Sequence, residues 1–172
     1  MNVNIKRLSA DATTPTYTHS TDACFDLYAA ADVIIAPGEM GLVPTGLAFE
    51  IPAGYEMQIR PRSGITLKTH LRVQLGTVDS GYAGEVGVIV DNQTCGDHYV
   101  YRNGAQTIDG VNVSDDSYHG CGSYLIRKGD RIAQAVIKPV EQATFTVVDA
   151  LKETERGAGG FGSSGVTTRR ER

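Results

Sequence analysis

The chain of 172 residues has no tryptophan, few other aromatics and only three cysteines. Cys24, Cys95 and Cys121 are odd in number and irregular in spacing, so no disulfide framework is expected, and free thiols agree with a reducing compartment. No apolar run approaches the ~20 residues that a membrane-spanning helix needs. The opening MNVNIKRLSADATT also lacks the apolar stretch followed by small residues that marks a secretory signal. The expectation is a soluble, cytoplasmic protein without membrane contact. An excess of positive charge is missing as well. The net charge of −4 repels phosphates at long range, so an anionic ligand has to be held by local Arg, backbone N–H groups or a metal ion. Nucleic-acid binding is disfavoured, and the basic residues 167–172 are read as a frayed tail rather than a binding arm.

What the chain does have is glycine, at 20 positions, and short segments that alternate apolar with polar residues. Leu47, Phe49 and Ile51 share one side of such a segment. Tyr55, Met57 and Ile59 do the same after Pro52-Ala53-Gly54, and so do Val86, Val88 and Val90 after Gly81-Tyr82-Ala83-Gly84. Sustained helical periodicity is scarce. Many short strands with Gly and Pro turns predict an all-β single domain over 1–172, a β-sandwich or barrel with the jelly roll among the candidates. Two stretches break the rhythm. Residues 93–123 are polar and rich in Gly, Asn, Asp and Tyr, an excursion between Val90 and a strand starting near Ile132. Residues 155–165, ERGAGGFGSSG, open a C-terminal arm over 155–172 that is too glycine-rich for a stable helix or strand.

Several segments carry groups suited to chemistry. In the glycine-rich arm, backbone N–H groups can converge on an anion, Arg156 adds a planar cationic fork, and Ser163 and Ser164 add hydroxyl donors. Phe161 among the glycines makes sense if it stacks on a ring; a plain linker is an equal reading. No Lys follows where a Walker A loop needs one. Arg60-Pro61-Arg62-Ser63-Gly64 places a guanidinium, a hydroxyl and N–H groups at one turn. In Gly76-Thr77-Val78-Asp79-Ser80-Gly81-Tyr82-Ala83-Gly84-Glu85, two strand-like runs predict a hairpin with Asp79 at its turn. There a carboxylate can take a proton from a water, although a turn-forming Asp is the commoner case. Asp26, between Phe25 and Leu27, is a carboxylate at the edge of apolar packing, costly unless paired with a cation. Gln134 interrupts another apolar alternation.

Taken together and in order, DACFDL, PRSG, GTVDSGYAGE, GDRIAQ and RGAGGFGSSG resemble the five motifs of the trimeric dUTP pyrophosphatase family, over about residues 22 to 165 apart from the excursion. The resemblance implies a jelly-roll homotrimer that exchanges its C-terminal arms and builds each active site from three chains. It implies Mg2+ as cofactor and dUTP as substrate. Asp79 would activate the attacking water, and Asp26 would grip a metal-bound water. Arg62, Ser63, Gly64, Gln134, Arg156, Ser163 and Ser164 would hold the nucleotide's phosphates, and Gly162 would also contact the substrate. Gly76, Val78 and Gly87 would meet the uracil edge, Tyr82 the sugar, and Phe161 would cover the base.

Two departures stand out. Cys24 occupies a position where the family usually has Gly, and the excursion replaces a short connection. Some phage members resemble this chain in carrying extra sequence there, which implies a surface for a regulatory protein partner. Within it, Cys95, His98, His119 and Cys121 place two Cys and two His at the two ends, a set that can in principle hold zinc, at a spacing that fits no established finger. The competing readings are a dCTP deaminase of the same fold and a binding protein in which catalysis is secondary.

Overall fold

The structure, a computed structural model, describes residues 1–95 and 101–160. Its strands are β1 (Asn4–Arg7), β2 (Phe25–Tyr28), β3 (Val33–Ile35), β4 (Met40–Pro44), β5 (Leu47–Glu50), β6 (Tyr55–Arg60), β7 (Leu71–Val73), β8 (Gly76–Asp79), β9 (Gly87–Asn92), β10 (Tyr101–Thr107), β11 (Asn112–Gly120), β12 (Tyr124–Ile126) and β13 (Arg131–Pro139). A short helix, α1 (Ser63–Lys68), follows β6. The strands form sheets of order β1-β5, β11-β10-β12-β3, β2-β13-β6-β8 and β4-β9-β7. One apolar cluster draws on all of them: Leu47 and Phe49, Ile35 and Ile126, Leu27, Met57 and Ile132, Leu71, Val88 and Val90. Each such side chain gains roughly 1.5–3 kcal/mol by leaving water. Leu47, Phe49 and Ile51 and Val86, Val88 and Val90 are all buried as anticipated; Val88 and Val90 flank the exposed Ile89, whereas Ala48 between Leu47 and Phe49 is buried as well. No helix among the described residues is long and apolar enough to cross a membrane.

The run over 76–85 departs from expectation. β8 and β9 do not pair with each other as a hairpin. β8 joins β6, with Gly76 opposite Ile59 and Asp79 opposite Glu56, while β9 pairs with β4 and β7. The cause lies at the end of the connecting loop. Val86 N–H donates to the Leu47 carbonyl at 2.8 Å, Thr45 Oγ1 donates to the Val86 carbonyl at 2.5 Å, and Glu85 accepts from Gly46 N–H at 2.7 Å. The returning chain is captured by the segment around β5 before it can close on β8. β7 and β9 stay together as far as Gln74 N–H to the Ile89 carbonyl, 2.9 Å; beyond that point the two chains splay, and β8 becomes the edge strand of its sheet.

Much of the polar excursion is regular. β10 and β11 form an antiparallel hairpin that extends the β12–β3 sheet. Asn92, fully buried, ties its two ends together: the amide donates to the Ile35 carbonyl at 3.0 Å and the Gly122 carbonyl at 2.9 Å. Its oxygen accepts from Thr94 N–H and Oγ1 at 3.0 and 2.6 Å. The hairpin register slips between Asn103 and Ala105. Gly104 fills the slip with a φ of 94°, and a Cβ there would stand 1.6 Å from the Val113 carbonyl oxygen. Only glycine fits.

The chain divides into two compact units, Met1–Glu141 and Gln142–Arg172. In the second, residues 142–154 have no strand or helix, and turns begin at Glu155. Phe145, Val147 and Leu151 of this unit are strongly exposed.

Gly104→Ala should open the hairpin without touching the core. Hydrogen-exchange mass spectrometry should find faster exchange at Ala105 and Gln106 and unchanged protection at Val88 and Val90.

Candidate active site

In β2, Phe25 and Leu27 turn toward the core, which sends Asp26 to the opposite face of the sheet. Gln134 of β13 lies directly across from Asp26 and, on its other side, from Arg60, so the two polar side chains share that face. After Arg60 the chain breaks from the sheet at Pro61. Gln134 Nε2 donates to the Pro61 carbonyl at 2.8 Å and fixes the corner from which Arg62 turns back. Arg62 Nε meets Asp26 Oδ1 at 2.9 Å, and Arg62 Nη1 donates to the Arg131 carbonyl at 3.0 Å. Arg131 Nη1 reaches Asp26 Oδ2 at 3.3 Å, where Thr18 Oγ1 also donates at 3.2 Å.

Asp26 is thus a buried carboxylate, 8% exposed, neutralised by two guanidinium groups that remain partly in solvent. Around it lies a cavity of about 480 Å³, lined by Thr18, His19, Asp22, Ala23, Cys24, Asp26, Arg62, Ser63, Gly64, Arg131 and Gln134. Ser63 and Gly64 open α1, where Arg62 precedes the first turn without a side-chain cap. The N–H groups of that turn have no partner within the helix. Arg62, Arg131, Ser63 and these amides give the cavity the donors that a polyphosphate needs. Next to Arg131, burial is the main cause raising the Asp130 carboxyl above its ordinary pKa, against the pull of the Arg127 N–H.

The donor set also bears on a divalent cation. No group of three or more His, Cys, Asp or Glu able to hold a metal occurs among the described residues. Asp26 Oδ1 keeps a lone pair beyond its Arg62 partner, whereas Oδ2 already accepts from Thr18 and Arg131. That arrangement suits a water in a cation's shell, the cation itself being held by phosphates.

The sequence-anticipated residues fall into three groups. Asp26, Arg62, Ser63, Gly64 and Gln134 come together in the cavity. Gly76, Val78, Asp79, Tyr82 and Gly87 do not line it. Asp79 is exposed at the end of β8. The Val78 side chain is buried in the core and leaves only its backbone for a ligand. Tyr82 lines a separate cavity of about 350 Å³, together with Ile5, Phe49 and Glu50. In the second unit Arg156 Nε donates to the Gly159 carbonyl at 2.8 Å, whereas Phe161, Gly162, Ser163 and Ser164 lie outside the described residues. Of the proposed zinc set, Cys95 is exposed and Cys121 half-buried, and His98 is outside the described residues. Arg131 and Thr18 are site residues that the sequence reading passed over. The signal for Arg131 was present: a carboxylate as enclosed as Asp26 demands counter-charge, and GDRIAQ carries an Arg three residues before Gln134.

Comparison with known proteins gives one consistent result. The model of a family described as dUTPase matches residues 10–104 and 118–165; the break between the two stretches falls within the β10–β11 hairpin. The deoxyuridine 5'-triphosphate nucleotidohydrolase of Nautilia profundicola is 44% identical over 167 residues, covering 96% of this chain and 99% of its own. The Staphylococcus bacteriophage 80alpha dUTPase, solved with dUPNHPP, is similar at 36% identity and a TM-score of 0.89, covering 96% of this chain and 99% of that one. It is described among phage dUTPases that control transfer of virulence genes by a proto-oncogenic G protein-like mechanism. The dUTPase of phage phi11 of S. aureus, solved as a mutant that reveals the coordination of a structural Mg(II) ion, has 31% identity and a TM-score of 0.84, covering 89% of this chain and 100% of that one.

Asp26→Ala would leave the two guanidinium groups without their shared counter-charge. A loss of about 1–3 kcal/mol is expected, read as a lower denaturant midpoint.

Proposed function

Because the chain belongs to the dUTPase family, we propose that it hydrolyses dUTP to dUMP and pyrophosphate, keeping uracil out of DNA and supplying dUMP for dTMP synthesis. The observation that carries this reading is the cavity around Asp26, to which two further segments, 62–64 and 131–134, deliver Arg62, Ser63, Gly64, Arg131 and Gln134. These residues hold the triphosphate. Arg156, Gly162, Ser163 and Ser164 of another chain's arm complete its enclosure, and Phe161 covers the uracil. Mg2+, when bound to the phosphates, neutralises their charge and favours an in-line pose. Asp26 would help hold the ion by accepting a hydrogen bond from a water bound to it. Asp79 takes a proton from the water whose oxygen bonds to the α-phosphorus, while the bond from that phosphorus to the bridging oxygen breaks and pyrophosphate departs with the electron pair.

The splay between β8 and β9 supports the choice of base. Among the described residues β8 is the edge strand of its sheet, which leaves the outer backbone edge near Gly76 and Val78 for a base that also meets Gly87. Uracil seated there pairs with both edges. Cytosine presents the reversed donor and acceptor pattern and leaves buried groups unpaired, a loss on the order of 1–3 kcal/mol each. A thymine methyl clashes. Tyr82, packed on the deoxyribose, leaves no room for a 2′-hydroxyl.

A homotrimer reconciles the remaining geometry. Asp79 is not in the cavity of its own chain, so a second chain has to supply it. The β4–β9–β7 sheet offers a suitable surface: Leu42 and Ile89 are cross-strand neighbours on its outer face, and Met40 and Leu42 are 67% and 65% exposed. The β10–β11 hairpin, on the rim, is the surface we assign to a regulatory protein partner. A deaminase acting on dCTP is the alternative; ammonia release from dCTP would favour it.

Two measurements test the reading. Asp79→Asn should lower kcat for pyrophosphate release from dUTP by roughly 10²–10⁴-fold with little change in KM, and UTP and dCTP should be poor substrates of the parent protein. Mixed trimers of Asp79→Asn and Arg62→Ala, each nearly inactive alone, should regain part of the turnover, because some sites then take Asp79 and Arg62 from unmutated copies. No recovery, with sedimentation showing single chains, would refute the shared site.

A further inference from the structure

The loop over 80–86 is anchored at both ends. Tyr82 N–H donates to the Asp79 carbonyl at 3.0 Å, and Glu85 and Val86 are bound to the segment around β5 through Gly46, Thr45 and Leu47. Inside this frame the Tyr82 hydroxyl donates to the Glu85 carbonyl at 2.8 Å. That bond folds the phenol back over Gly84. A Cβ on Gly84 would stand 2.5 Å from the hydroxyl oxygen, 2.7 Å from Cζ and 3.1 Å from Cε2, the first two below the 3.0 Å that Cβ contacts essentially never breach.

Two facts separate this glycine from those required by the backbone. Gly84 is not among the glycines with positive φ, so its conformation is open to any residue. The atoms that a methyl group would strike belong to the far end of a side chain that is 47% exposed and has room to swing. The three nearest atoms that a larger residue at this position would meet all belong to the Tyr82 side chain.

We propose that Gly84 is a positioning residue for sugar selection: the hydrogen atom in place of a side chain lets the Tyr82 ring settle against the backbone, hydroxyl on the Glu85 carbonyl, at the depth where it packs on a deoxyribose and excludes a ribose. This rests on the reading of Tyr82 as the sugar-facing residue. A methyl group at position 84 lifts the ring off its anchor, and displacements of about 1 Å are enough to change rates by up to 10²-fold.

The experiment is a double-mutant cycle on selectivity. The ratio of kcat/KM for dUTP to that for UTP is measured in the parent, Gly84→Ala, Tyr82→Ala and the double variant, each shown by thermal unfolding and sedimentation to keep its fold and assembly. Gly84→Ala should lower the ratio on the order of tenfold or more, mostly through KM for dUTP, and should change nothing further once Tyr82 is alanine. An unchanged ratio in Gly84→Ala, or an equal additional fall in the Tyr82→Ala background, would overturn the positioning role while leaving Tyr82 as the sugar contact. An unchanged ratio in Tyr82→Ala itself would overturn both.

Discussion

A carboxylate held almost out of water is the point from which the site is organised. Asp26 is tolerated there because Arg62 and Arg131 bring two positive charges to its oxygens; a lone buried charge would cost several kcal/mol. The requirement propagates. For Arg62 to arrive, the chain has to leave β6 at Pro61 and turn, and Gln134 holds that corner through the Pro61 carbonyl. For Arg131 to arrive, β13 has to pair with β2 in the register that also sets Gln134 beside Asp26. One electrostatic need therefore ties together three segments far apart in sequence, and the donors left over on the two guanidinium groups face the cavity that those segments enclose.

A second constraint is topological. The chain from β7 to β8 begins beside β9 and ends beside β6, crossing from one sheet to another within nine residues, 71–79. Crossing of this kind leaves strand edges without a strand partner, which most proteins cover or blunt because open edges invite aggregation. Here the opened edge lies next to the loop carrying Asp79 and Tyr82. An exposed edge that would be a liability elsewhere is, in the function proposed above, a row of donors and acceptors for a flat heterocycle.

How much of this was legible in the sequence varies with the physics. Burial of one face was legible because alternation reports it directly, as for Leu47, Phe49 and Ile51. The partner of a strand was not, since alternation at Val86, Val88 and Val90 is the same whether β9 pairs with β8 or with β4 and β7; the captured Val86 N–H decides, and that contact spans 39 residues. Helix α1 is only six residues long, too short for a 3.6-residue period to declare itself. The β10–β11 hairpin was hidden for a related reason: it is polar and added at a sheet margin, so little of it needs an apolar face. In the site, Asp26 and Gln134 stood out as polar residues set among apolar ones. Arg131 did not, because an Arg beside a turn is unremarkable until its carboxylate partner is known.

The clamp at Asn92 has an evolutionary corollary. With Ile35, Gly122 and Thr94 all fastened to one buried amide, the two ends of the β10–β11 hairpin are pinned together at its base. The edge strand β11 is then the part free to drift or be trimmed, whereas β10 pairs with β12 and buries Ala105 and Thr107. A lineage can in this way reshape that outer surface while the strand beneath it stays under selection for packing.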